Sequence, residues 1–496
     1  MDIAWTGILI LTCIFIYSTW DTFYRRRNLP PGPTPLPFIG TLLHITSGEL
    51  VNSLLKLWDK YGSVYTLYFG SRPVVVLCGY DAVKEALIDR GEEFGARGSV
   101  PVLEKFTQGY GISLSNGERW KLTRTFTVKT LKSFGFGKKS IEWKIQTEAQ
   151  CIVDEFRKSN SQPFDPHKNL MDAFSNVLCS VIFGDRFEYK DERFIKFLGI
   201  AEESFHIASS SWGQLHSILP TIMNHVPGPH QRMISISEEL AEFIHERVKA
   251  SQENLDPSSP RHFIDSFLIK MEEEKNNPNT DFNLRNLLVT THNLFVAGIE
   301  TVSTTLRHGL LILLRYPEVQ AKIHKEIDQE IGRERTPNFE DRMRMHYTQA
   351  VISEIQRFGD VLPLNLPHMA TRDVQFRGYH IPKHSIVVKG TDIYPLLCTV
   401  HRDPKRFSSP WKFNPNHFLD VNGKFMKNDA LMAFSAGKRI CPGESLARME
   451  IFIFLTTILQ NFKLTSPTEF TDSDVAPKLA GFLNAPIDYE LSFVPR

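Results

Sequence analysis

Apolar residues recur at helical spacing through most of the chain, and the longest such run covers 284–315. The same period predicts helices over 81–89, 142–158, 168–184, 235–252, 318–331, 347–358 and 444–461. Strand patterns are few. SVYTLYFGSRPVVVLCG, residues 63–79, is β-branched and aromatic on both sides of a Gly-Ser turn, which predicts a hairpin. Shorter strand-like runs lie at 385–394 and 487–494, and the polar runs 253–262 and 274–283 read as loops. The pattern predicts a mainly α fold with a small β portion.

One apolar run has a different meaning. IAWTGILILTCIFIYSTW, residues 3–20, carries no charge and is long enough to span a bilayer as a helix. A cleaved signal peptide is the alternative, but the charges (Arg25, Arg26 and Arg27) follow the run instead of preceding it. The positive-inside rule then keeps the rest of the chain in the cytosol. The expected division is a transmembrane anchor over 1–24, a basic and proline-rich hinge over 25–45, and one cytosolic domain over 46–496. Five prolines in NLPPGPTPLPFIG, residues 28–40, make the hinge a stiff, extended connector.

Composition adds limits. A net charge of +1 argues against a nucleic-acid partner. Six scattered cysteines with no CxxC pair fit reduced thiols and no disulfide frame. The 36 phenylalanines suit a large apolar interior, able to host an apolar ligand. No GxGxxG fingerprint or P-loop is present, so flavin and nicotinamide belong to a partner.

Three constellations carry chemistry. In FSAGKRICPG, residues 434–443, Cys441 precedes an apolar helix whose N-terminus favours a thiolate, with Lys438 and Arg439 beside it. Gly437 permits a tight loop, and Phe434 offers an apolar lid. A thiolate so held serves as nucleophile or metal ligand; a lone buried cysteine is otherwise a small core residue. Glu354 and Arg357 share a helix face, usually a weak surface pair. NLFVAGIETVSTT, residues 293–305, sets Glu300 and Thr301 beside Gly298 in an apolar helix, where a carboxylate is costly unless paired or useful. Trp120 and Arg124 stand one helical turn apart, able to hold one anionic group.

The spacing Phe434-x-x-Gly437-x-x-x-Cys441-x-Gly443 resembles the haem-binding loop of the cytochromes P450, and the whole chain resembles the vertebrate microsomal family-2 members. The resemblance implies a haem-thiolate monooxygenase. It would insert one oxygen atom from O2 into a lipophilic substrate, with haem b as cofactor and Cys441 as the axial ligand of its iron. It implies haem contacts from Arg97, Trp120, Arg124, His368, Phe434, Gly437 and Arg439, and proton transfer by Glu300 and Thr301. Gly298 would let the flat cofactor approach the helix. Glu354 and Arg357 become a structural brace, with His417 where the cytochromes P450 usually carry an arginine, a departure that the family-2 members share. Pocket walls are expected from 100–114, Phe205, Ala297, Val361, Leu362, Leu366 and Phe482. Electrons would come from NADPH through the separate NADPH-cytochrome P450 reductase, with cytochrome b5 as a second donor. Lys121, Lys129, Lys132, Lys138 and Lys139 form a candidate docking face. The location implied is the endoplasmic reticulum membrane, with membrane lipid around the anchor. A thiolate-haem isomerase or dehydratase of lipid peroxides, or a non-catalytic membrane-anchored haem binder, would carry the same loop. Neither explains Glu300 with Thr301.

Overall fold

The computed structural model describes residues 28–136, 139–383, 391–479 and 481–496, with Trp5, Thr12 and Cys13. The expected anchor otherwise lies outside the described residues, as does Lys138. Among the described residues, no helix is long and apolar enough to cross a membrane.

The 32-residue helix Leu284–Arg315 runs through the centre. Asn283 caps it, its side chain accepting from the Asn286 N–H, and Pro317 opens the next helix just beyond its end. Packed on it are His167–Ile182, Arg232–Glu253, His346–Gly359 and Glu444–Asn461. Glu444–Asn461, called the proximal helix below, is apolar on nearly every side and is buried all round. The phenylalanines serve this interior through ring contacts such as Phe174 with Phe454 (4.5 Å) and Phe156 with Phe493 (3.9 Å).

Most expected helices form within a few residues of their expected ends, including Lys139–Arg157 and Pro317–Glu330. The run 81–89 starts as an α-helix, Tyr80–Lys84, and widens into a π-turn, Glu85–Asp89. Helices that the pattern did not announce are Leu50–Tyr61, Pro101–Thr107, Gly117–Ser133, Glu192–Ser209, Ser211–Ile218 and Phe263–Glu273.

Among the described residues the β portion has nine strands: β1 Val64–Phe69, β2 Arg72–Leu77, β3 Ala96–Arg97, β4 His368–Met369, β5 Val374–Phe376, β6 Tyr379–Ile381, β7 Asp392–Pro395, β8 Phe462–Thr465 and β9 Ser492–Pro495. β1 and β2 form the expected antiparallel hairpin. The main sheet has the order β1-β2-β7-β4-β3, with β2 and β7 parallel. The strand expected at 385–394 is seen only from Asp392, since 384–390 are not described, and that expected at 487–494 forms only from Ser492. The proline-rich segment is docked on the sheet. Thr66 N–H donates to the Pro31 carbonyl (2.8 Å), and a Cβ at Gly32 would strike the Thr66 carbonyl.

Candidate active site

The cysteine loop is closed by its own backbone. Cys441 N–H donates to the Phe434 carbonyl (3.0 Å), and Ser435 and Gly437 take left-handed φ values of 62° and 70°. A Cβ at Gly437 would collide with the Leu87 carbonyl in the π-turn, so glycine is required there for close approach as well as for φ. Cys441 is an exposed residue. Its thiol nevertheless sits deep enough that burial pushes its pKa up, against the Gly443 and Glu444 N–H groups and Arg124, which favour the thiolate. The helix terminus therefore does not ionise this thiol unaided; coordination to a metal ion would. The Arg448 guanidinium lies 4.9 Å from the centre of the half-buried Phe434 ring.

Beside the loop the fold gathers three arginines. Arg439 Nε donates to the Gly95 carbonyl (2.8 Å), and its Nη2 donates to the Ser115 carbonyl (2.9 Å) and to Asn116 Oδ1 (2.8 Å). Its guanidinium lies 3.7 Å from the centre of the Trp120 ring. β3 pairs with β4 so that Arg97 stands opposite His368. His368 Nδ1–H donates to the Phe94 carbonyl (2.7 Å), which leaves Nε2 to accept from Arg97 Nη1 at 2.7 Å. Burial first, and then Arg97, hold His368 well below the usual imidazole range, consistent with that neutral tautomer. Arg124 donates to the Ile440 carbonyl.

This cradle has too much positive charge for its depth. Burial and neighbouring arginines push Arg97 down to about 9 and Arg439 to about 8. Trp120 Nε1 and Arg439 Nη1 are buried with no hydrogen-bond partner among the described residues. A dianionic group would supply the missing acceptors and charge, and the carboxylates of haem fit that need. The sequence did not single out Asn116. It stands at the N-cap position of Gly117–Ser133, yet its side chain serves Arg97 and Arg439 in place of the helix end.

On the central helix, Ala297 is exposed and Thr301 half-buried on one face. Thr301 Oγ1 donates to the Ala297 carbonyl (2.8 Å), and Thr305 Oγ1 to the Thr301 carbonyl (2.7 Å). Glu300 is turned about 100° away from Thr301. It is buried, with Oε1 accepting from Thr304 (3.0 Å) and Oε2 without a partner among the described residues. Gly298 meets a neighbouring helix instead of a flat ligand: a Cβ there would lie 2.7 Å from Leu178.

Glu354 and Arg357 are fully buried and paired through two bonds of 2.6 and 2.7 Å. Arg357 also donates to the carbonyls of His401, Pro410 and Lys412, and His417 Nδ1 lies 3.1 Å from Glu354 Oε2. A second buried group, Asp360 with His401 and Arg402, lies close by and had no sequence signal. Phe205, Val361, Leu362, Leu366 and Phe482 are all half-buried. The Asn484 N–H donates to the Val361 carbonyl (2.9 Å) and the Leu483 N–H to Ser209 Oγ (3.1 Å), which draws the turn bearing Phe482 to the other two segments. A cavity of about 990 Å³ opens between helix Pro101–Thr107 and the segment 218–224, and reaches the cradle at Arg97 and Asn116. Lys121, Lys129, Lys132 and Lys139 are exposed, Lys139 in a 3.1 Å ion pair with Glu340.

The cytochrome P450 family model matches residues 30–493. Cytochrome P450 2G1 of Rattus norvegicus is 52% identical over 98% of this chain and 98% of its own. Cytochrome P450 2A13 of Homo sapiens is 50% identical over 99% of this chain and 98% of its own. Cytochrome P450 2C23 of Rattus norvegicus is 49% identical with the same coverage.

Proposed function

The chain belongs to the cytochrome P450 family and is a haem monooxygenase, and on that basis we propose how its own residues share the work. Cys441 is the iron ligand, held by a loop whose shape depends on Gly437. Arg97, Trp120, Arg124, His368 and Arg439 bind and orient the two carboxylates of haem, with Asn116 fixing two of the arginines. Bound there, haem supplies reductive activation of dioxygen, one atom entering the substrate and the other leaving as water, with two electrons and two protons consumed. Thr301, its hydroxyl held at the Ala297 carbonyl, passes protons on the cleft side, and Glu300 behind it replenishes them. Glu354, Arg357 and His417 brace the core beneath the cysteine loop.

The substrate is a lipophilic small molecule that enters beside helix Pro101–Thr107 and meets Phe205, Ala297, Val361, Leu362, Leu366 and Phe482. Family membership implies a reductase as electron partner; the specific donor proposed is NADPH-cytochrome P450 reductase, with cytochrome b5 as an accessory. Both would dock on the face bearing Lys121, Lys129 and Lys132. The anchor 1–24 and hinge 25–45 would hold the domain 46–496 on the cytosolic side of the endoplasmic reticulum.

The observation that carries this reading is the junction of the Cys441 loop with a buried arginine cradle lacking a counter-anion. The test is the carbon monoxide difference spectrum of the dithionite-reduced protein. A strongly red-shifted Soret band that vanishes in Cys441→Ala is expected. A band at the position of histidine-ligated haem would remove Cys441 from its role.

A further inference from the structure

Two residues other than glycine take left-handed backbone and are joined by one hydrogen bond. Asn365, in the turn 361–367, has φ 59°, and Ser435, in the cysteine loop, has φ 62°. That region strains most L residues, asparagine less than others, and it persists where the surroundings over-determine it. Asn365 Nδ2 donates to Ser435 Oγ at 3.0 Å. Asn365 Oδ1 accepts from the Leu366 N–H at 2.8 Å, so the amide cannot turn over and its NH2 faces the serine. The asparagine is buried, while Val361, Leu362 and Leu366 on the same turn are half-buried.

The turn has a second grip on the site. The Leu366 carbonyl accepts from Arg97 Nη1 (3.4 Å), and the Gly98 N–H donates to the Pro367 carbonyl (3.0 Å). Its remaining bonds go to fixed parts of the fold, the Cys398 N–H donating to the Pro363 carbonyl (3.1 Å) and the Asn484 N–H to that of Val361. Among the described residues, no other hydrogen bond joins the turn to the cysteine loop. Within the loop the path to the sulfur is short. The Ser435 N–H donates to the Met432 carbonyl (2.8 Å), and the carbonyl of the preceding residue, Phe434, accepts from the Cys441 N–H. Any displacement of Ser435 therefore reaches the Cys441 backbone through one peptide unit and one hydrogen bond.

We propose that Asn365 is a positioning residue for the thiolate ligand: through Ser435 it couples the substrate-facing turn to the loop that carries Cys441. The inference rests on the monooxygenase reading, in which Val361, Leu362 and Leu366 meet substrate and Cys441 binds iron. A loop tied to the pocket wall holds its sulfur against thermal displacement, and a loop without the tie lets the sulfur leave more easily. Partners one step removed from a metal ligand act in this way, by orienting the ligand. The tie also works in reverse, because a load on the pocket wall moves Asn365 and is felt at the sulfur.

The test uses Asn365→Gly and Ser435→Gly in the full-length holoenzyme. Glycine keeps the left-handed backbone and removes the hydrogen bond. In the reduced carbon monoxide complex, the red-shifted Soret band should decay to the ordinary position about fivefold faster in each variant, the share of one hydrogen bond. The double variant should decay no faster than either single one. The urea transition should stay near that of the wild type. In a second measurement, Leu366→Phe, which presses on the turn from the pocket, should shift the haem reduction potential; the same change added to Asn365→Gly should not. Unchanged decay in the single variants, rates that multiply in the double variant, or a Leu366→Phe shift indifferent to Asn365→Gly overturns the coupling. A urea midpoint that falls together with the band means general loosening of the fold and overturns it too. Wild-type protein with no red-shifted band overturns the haem-thiolate reading beneath it.

Discussion

Two clusters of buried arginine lie in one body and are completed in different ways. Arg357 has everything an arginine needs: a bidentate carboxylate from Glu354, three backbone carbonyls, and His417 beside the same carboxylate. Arg439, Arg97 and Arg124 have carbonyls, an amide oxygen and an indole face, but the charges that act on Arg97 and Arg439 are those of other arginines. A closed cluster fixes geometry at a buried site. An open one is expensive until an anion arrives, and that expense is what marks it as a binding site. Burial alone does not separate structural from functional arginine; the presence of a carboxylate does.

The largest effect expected is on the closed cluster. Arg357→Ala leaves the buried Glu354 with only His417 and the Asn414 N–H in place of its guanidinium, which should cost about 3–5 kcal/mol, seen as lost yield and an early urea transition. On the open cluster the opposite partition is expected. Arg439→Met should leave the unfolding transition of the protein near that of the wild type while haem transfer to an acceptor globin speeds on the order of tenfold, as for loss of one charge-assisted bond. If Arg439→Met instead unfolds the protein as Arg357→Ala does, the distinction between the two clusters fails.

A third buried group, an acid with no partner among the described residues, gives the smallest effect. Burial alone pushes Glu450 on the proximal helix up to about 8 from 4.5. It is neutral in the fold but ionised in the unfolded chain between those values, so the stability it permits is complete below about 4.5 and lost as pH rises through about 8. Thermal melts between pH 6 and 8.5 should fall more steeply for wild type than for Glu450→Gln, by at most ~1.4 kcal/mol per pH unit. Parallel melts would mean that Glu450 has a partner after all.

Much of this was legible in the chain because it is local. The central helix carries its cap residue and its terminating proline in sequence, so its ends follow from the pattern. The spacing within 434–443 is likewise set by one loop. Beyond the one turn read at Trp120 and Arg124, helix Gly117–Ser133 was not legible because its buried face is mostly threonine (Thr123, Thr127 and Thr130, with Leu131), a stripe that apolar periodicity cannot register. Gly298 was credited to a flat ligand because a sequence cannot show that Leu178 takes the space. Asn116 carries no mark in the sequence, and only the tertiary approach of Arg97 and Arg439 gives it a use.

The contact between Gly437 and the Leu87 carbonyl also sets an order of assembly. The surface against which the cysteine loop is gauged, and most of the arginine cradle, come from segments between Leu87 and Arg124, far from the loop along the chain. The site therefore closes only when two distant stretches of chain have found each other. Cofactor capture waits on that meeting, and a shortage of cofactor should leave behind a body that is folded but unfinished.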